Sequence, residues 1–121
     1  MQVVHHSQYV NYFEVGRTEM MRECGLDYAD MERRGALLAV VEVGLRYVKP
    51  ARFGDEIVIE TRLTEVERVR VRFEYAVLRA GPPEELLCRG HTLLACVDRD
   101  LSPRRLPEPD RERMVALLAP R

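Results

Sequence analysis

Met1-Gln-Val-Val-His-His-Ser-Gln-Tyr-Val-Asn-Tyr-Phe-Glu-Val-Gly-Arg-Thr-Glu-Met-Met21 opens the chain, and its periodicity is that of a helix. Tyr9, Phe13, Gly16 and Met20 recur at i, i+4, i+7 and i+11, the stripe of a helix with one face in a core. Ser7 stands where an N-cap belongs, because its short hydroxyl can accept from amides that a first helical turn leaves unpaired. Gly25 suits the left-handed stop of such a helix, so the spacing predicts a helix from Ser7 to about Cys24. Glu14 and Arg17, three apart on another face, can pair. Asp27, with Asp30 three places on, can open a second short helix that Gly35 ends.

Past Gly35 the period changes from helical to alternating. Residues 37–49 form an apolar, β-branched run closed by Pro50. In 56–63, Glu56, Glu60 and Arg62 alternate with Ile57, Ile59, Thr61 and Leu63. In 68–77, Arg68, Arg70, Arg72 and Glu74 interleave with Val69, Val71, Phe73, Tyr75 and Val77. Both stretches read as strands with one wet and one dry face. Gly81-Pro82-Pro83 breaks the chain, and 86–97 resumes as a fourth strand. Short connections favour antiparallel pairing. Pro103, Pro107 and Pro109 mark an irregular exit before an amphipathic turn of helix at 110–118. One long helix followed by four strands is an α+β arrangement, read as a single domain over 1–121. A sheet curled around a central helix would bury that helix on several sides. It would thereby account for the apolar residues Val10, Tyr12, Val15 and Met21 that lie off the narrow stripe.

Composition narrows the function classes. At 121 residues, the chain can bury about two-thirds of its unfolded surface. With 46% hydrophobic and 32% charged residues it fits neither a disordered nor a membrane-embedded class. A formal net charge of −1 provides no field toward nucleic acid or anionic lipid. Lys49 is the only lysine among 19 basic residues. That bias toward always-charged arginine, with few Asn and Gln, suits a GC-rich genome or a hot habitat. Cys24, Cys88 and Cys96 form no CxxC pair and no zinc spacing, and so read as reduced, mostly buried thiols of a cytoplasmic protein. No run has the length of a transmembrane helix or the form of a signal peptide.

The opening segment also resembles a known signature. The acyl-CoA thioesterases of the hotdog fold, in the 4-hydroxybenzoyl-CoA thioesterase-like group, carry Asp-x-x-Gly-Val-Val-x-His-x-x-Tyr, followed by a helix with Phe-Glu-x-x-Arg. Val3, Val4, His6, Tyr9, Phe13, Glu14 and Arg17 fall in step with it. Val41-Glu-Val-Gly-Leu-Arg-Tyr-Val-Lys-Pro-Ala-Arg-Phe-Gly-Asp55 is similar to the family's strand ending in Tyr-x-x-Pro-Ala-Arg-x-Gly-Asp. Gly90-His-Thr-Leu-Leu-Ala-Cys-Val-Asp98 is similar to its last core strand. The resemblance implies a hotdog fold, a long helix wrapped by a curved antiparallel sheet.

Thioester hydrolysis needs a group to attack the carbonyl or activate water, and donors for the developing oxyanion. In the family the signature Asp supplies the first. Amides at the start of the long helix, where the dipole is positive, supply the second. Carried onto this chain, His6 is the catalytic candidate through its backbone N–H and its imidazole, while Ser7 and Tyr9 are the substrate-binding candidates. The plain alternatives stand beside these: His6 as a residue at the helix start, Tyr9 as a stacking core tyrosine. Glu14 and Arg17 read as a structural pair, and His91 as packing or surface with no nameable partner. Arg52, Arg99, Arg104 and Arg105 are candidates for the coenzyme A phosphates, whereas Arg68, Arg70 and Arg72 read as a solvated strand face.

Two departures matter. Gln2 occupies the signature glycine position, and the signature Asp would fall two places before Met1, after a strand of about a dozen residues. Either Met1 is an internal start, or the chain is a shortened paralogue that binds acyl-CoA without hydrolysing it. The resemblance implies an acyl-CoA thioester hydrolase that acts on short-chain or aromatic acyl groups and needs no metal or redox cofactor. A noncatalytic acyl-CoA-binding protein is the alternative. A hotdog dehydratase ranks below both, because the Gly-His-Phe-Pro type of loop is absent. The resemblance also implies a homo-oligomer, dimer or tetramer, with sites shared between subunits and with neither nucleic acid nor membrane as partner.

Overall fold

The computed structural model describes residues 8–120. The long helix α1 spans Gln8–Glu23, and the short α2 spans Tyr28–Arg33. Four strands come next: β1 (Leu37–Tyr47), β2 (Ile57–Val66), β3 (Arg70–Arg79) and β4 (Glu85–Val97). Helix α3 (Glu108–Ala116) closes the order. The expected punctuation is present. Gly25 and Gly35 take positive φ of 78° and 86° after α1 and α2, and Asp27 caps α2 by accepting the Asp30 amide at 3.1 Å.

The strands form one antiparallel sheet in the order β1-β4-β3-β2. The alternation seen in the sequence fixes its faces. Val71, Phe73, Tyr75 and Val77 of β3 are buried, while Arg70 and Glu74, at alternate positions, are exposed. Register slips at Val40/Glu42, Leu63/Glu65 and Val77/Leu78 let the sheet bend around the helix. Phe13 anchors α1 to that concave face. Its ring stacks on Tyr75 with centroids 4.4 Å apart, and full burial of such a side chain contributes about 1.5–3 kcal/mol. The packing is close enough that a Cβ on Gly90 would overlap the Phe13 ring. Only glycine fits beneath Phe13.

Three expectations are corrected. In α1, only Tyr9, Phe13 and Met21 are buried, and Val15 is 54% exposed. The sheet therefore covers one face of the helix rather than several. Arg68 lies in the β2–β3 turn, because β3 begins at Arg70; polar turn residues had extended the alternation by chance. The terminal helix begins at Glu108, with Pro109 in its first turn, where a missing N–H costs nothing.

Candidate active site

Helix α1 brings its first turn to the loop that joins β1 to β2, the Pro50-Ala-Arg-Phe-Gly-Asp55 segment. Two contacts hold this loop. The buried Tyr9 hydroxyl accepts the Ala51 amide at 3.0 Å, and the Tyr9 ring meets Tyr12 and Tyr47 edge-on at 5.7 and 5.2 Å. Asp55 accepts the Arg52 amide at 2.8 Å and the Arg79 Nε at 3.1 Å. Arg79 also donates to Pro50 O at 2.9 Å and sits 3.5 Å from Glu85, which Lys49 holds at 2.8 Å. The Arg52 amide, then the Arg79 guanidinium, keep the Asp55 carboxyl below the ordinary carboxylate range. A carboxylate held this way is a brace, not a free base.

Between the helix start and this loop lies a hollow of about 360 Å³, lined by Gln8, Tyr12, Arg52, Phe53, Asp55 and Ile57. The first turn of α1 carries no acidic residue. The positive end of its dipole is thus unneutralised by its own side chains, which suits a developing oxyanion.

A second hollow, of about 790 Å³, runs along another face of α1. Met21, Leu26, Leu38, Val40 and Leu94 give it apolar walls, with Glu14, Arg17 and Arg22 also lining it. Its size is that of a small-molecule pocket. One wall belongs to β1, an outer strand of the sheet. Behind it runs a polar chain: Arg17 Nη1 donates to the Tyr75 hydroxyl at 3.3 Å, and Tyr75 shares a 2.6 Å hydrogen bond with Thr92. Burial pushes the Tyr75 phenol up, against its hydrogen bonds with Thr92 and Arg17, so it stays neutral and able to bridge.

The structure distributes the expected residues unevenly. His6 and Ser7 lie outside the described residues. Tyr9 is in the core at the base of the loop, its hydroxyl committed to Ala51. Arg17 reaches Tyr75 instead of pairing with Glu14. His91 does have a partner, since its Nε2 lies 2.7 Å from Glu42 on the outer face of the sheet. Of the arginines proposed for phosphate contact, Arg52 lines the hollow at the start of α1. Arg99 and Arg104 donate to the Arg33 and Arg34 carbonyls, both at 3.1 Å. The Asp55–Arg79 brace and the Tyr75–Thr92 bridge were missed. A Thr amid the apolar residues of β4 was the one local signal for the second.

The thioesterase-like superfamily model matches residues 1–117. The hypothetical protein TT1821 from Thermus thermophilus superposes with a TM-score of 0.88 at 38% identity, over 97% of this chain and 88% of that one. The DHNA-CoA thioesterase of Staphylococcus aureus superposes at 0.87 with 28% identity, over 96% of this chain and 78% of its own. The acyl-CoA thioester hydrolase YbgC of Escherichia coli is 30% identical over 107 residues, 88% of this chain and 78% of that protein.

Proposed function

The chain belongs to the thioesterase-like superfamily, and from that premise we propose that it hydrolyses an acyl-CoA thioester to a free acid and coenzyme A. The observation that carries this reading is the start of α1, free of acidic side chains and opening on a hollow beside Arg52. The helix-start amides stabilise the oxyanion formed when water, or a carboxylate nucleophile, adds to the thioester carbonyl. His6 donates its backbone N–H there, and its imidazole positions water or carries a proton to the leaving thiolate. Ser7 contacts the substrate. Tyr9 acts on it through the Ala51 loop, which it holds against the helix start. In the resembling enzymes the attacking or activating carboxylate is that of the signature Asp. The reaction needs no metal or redox group.

The acyl group, short-chain or aromatic, occupies the 790 Å³ hollow along α1. A second copy completes that pocket by pairing along β1, whose exposed Val40, Val41 and Val43 form an apolar sheet edge. A dimer is the minimal assembly, with a tetramer as its extension. The reading places the protein in the cytoplasm, and among the described residues no helix is long and apolar enough to cross a membrane.

One observation favours the alternative of acyl-CoA binding without hydrolysis. Asp55 is the carboxylate lining the hollow at the helix start, and it is tied to Arg52 and Arg79. Steady-state hydrolysis of an acyl-CoA panel, read as free thiol, separates the two readings. The chain would be assayed beside a form lengthened to place Asp two positions before Met1. Turnover by the lengthened form supports hydrolysis; coenzyme A binding by both with turnover by neither supports a binding role.

A further inference from the structure

A cluster of arginines at the far end of the sheet has no part in the site at the start of α1. The β2–β3 turn, closed by the Glu67 amide on Arg70 O at 2.7 Å, carries Arg68. The Leu106 amide donates to Arg68 O at 2.9 Å, which lays the segment leading to α3 beside that turn. Arg68, Arg105 and Arg111 thereby converge on a hollow of about 280 Å³, together with Leu106 and Glu108. That volume is several times the ~30 Å³ share of one water.

The polar groups there are short of partners. Among the described residues, none of the three guanidinium groups makes an ion pair, and Glu108 makes none with them. Arg111 Nε is buried and makes no hydrogen bond among the described residues. Helix α3, whose first turn supplies Glu108 and Arg111, has Pro107 at its N-cap and no side-chain cap. Three like charges gathered around one hollow repel each other unless an anion lies between them. A buried unpaired donor calls for an acceptor in the same place.

We infer that Arg68, Arg105 and Arg111 form a binding site for a phosphate group. Guanidinium forks match phosphate oxygens in pairs. Three forks exceed the two oxygens of a carboxylate and suit the several oxygens of a phosphate dianion. Glu108, the one carboxylate on the hollow, sets a limit: it repels the anion and restricts binding to a strongly charged group. The phosphate belongs either to coenzyme A or to a separate phosphorylated small molecule. The inference does not depend on hydrolysis at α1.

Calorimetric titration of the protein with inorganic phosphate, coenzyme A and dephospho-coenzyme A tests this. Wild type should bind phosphate saturably. The double variant R68A/R105A, which alters two exposed side chains, should bind it about tenfold or more weakly, as expected for lost charge-assisted hydrogen bonds. Arg111→Gln should do the same, and Arg99→Ala, an arginine already held by Arg33, should not. If coenzyme A also weakens in the double variant and dephospho-coenzyme A does not, the site holds the 3′-phosphate. If both weaken, it holds the diphosphate; if neither does while phosphate binding is lost, it serves a separate ligand. Absence of saturable phosphate binding in wild type, or equal affinity in the double variant, overturns the inference.

Discussion

Replacing Tyr9 by Phe keeps the ring in the core but leaves the Ala51 amide, fully buried, without its 3.0 Å acceptor. The expected cost is about 1–3 kcal/mol, read as a lower denaturant midpoint with an unchanged slope. The helical stripe made the burial of Tyr9 legible, because one face of a helix must meet the core. The hydroxyl partner was not legible, since it sits 42 residues further on. The partners of Arg17 and His91 were hidden for the same reason: Tyr75 and Glu42 are neighbours only through the sheet. The cysteines behave as their burial dictates. Loss of hydration pushes the Cys88 and Cys96 thiols up, whereas Cys24 is partly exposed. Under native conditions near neutral pH, a thiol reagent should modify Cys24 alone, as counted by mass spectrometry. Rapid modification of all three would contradict the packing of β4.

The β1–β2 loop is the element that ties fold to site. Asp55 has its carboxyl held below the ordinary range, first by the Arg52 amide and then by Arg79. A carboxylate depressed on folding contributes stability that is fully present above its unfolded value, about 3.9. That contribution is lost as pH falls through the lower folded value. Melting temperatures of wild type and Asp55→Asn should therefore differ by a constant amount from pH 7 down to about 4. Below that the gap should narrow; a gap that stays constant to pH 2 would mean that Asp55 does not brace the loop. The strands were legible from period-two alternation, and α1 from its stripe. The ends of β2 and β3 were less so, because turn residues such as Glu67 and Arg68 are as polar as the wet face they continue. Motif resemblance picked out the Pro-Ala-Arg-Phe-Gly-Asp loop. The brace depends on Arg79, at the far end of β3, which no local pattern connects to Asp55.

Across the molecule as a whole, the proposed assembly rests on the apolar edge of β1 and the hollow it borders. Light scattering should give a mass of at least twice the 14.1 kDa of one chain. Val41→Lys, on an exposed position of the edge strand, should shift it toward one chain, since edge lysines oppose strand pairing. A variant that remains fully assembled would move the interface elsewhere. The sequence could not show the hollow along α1, because its walls come from elements far apart in the chain. Thioester hydrolysis at the start of α1 is the central functional proposal. It is tested by kcat and kcat/KM for acyl-CoA hydrolysis by His6→Gln against wild type, both in the lengthened form. A fall of about 10²-fold in kcat, with KM little changed, is expected for a group acting in the transition state. Equal kcat/KM in the two proteins would remove the His6 imidazole from the chemistry, and absence of turnover by the wild-type side chain in the lengthened form would contradict the proposal itself.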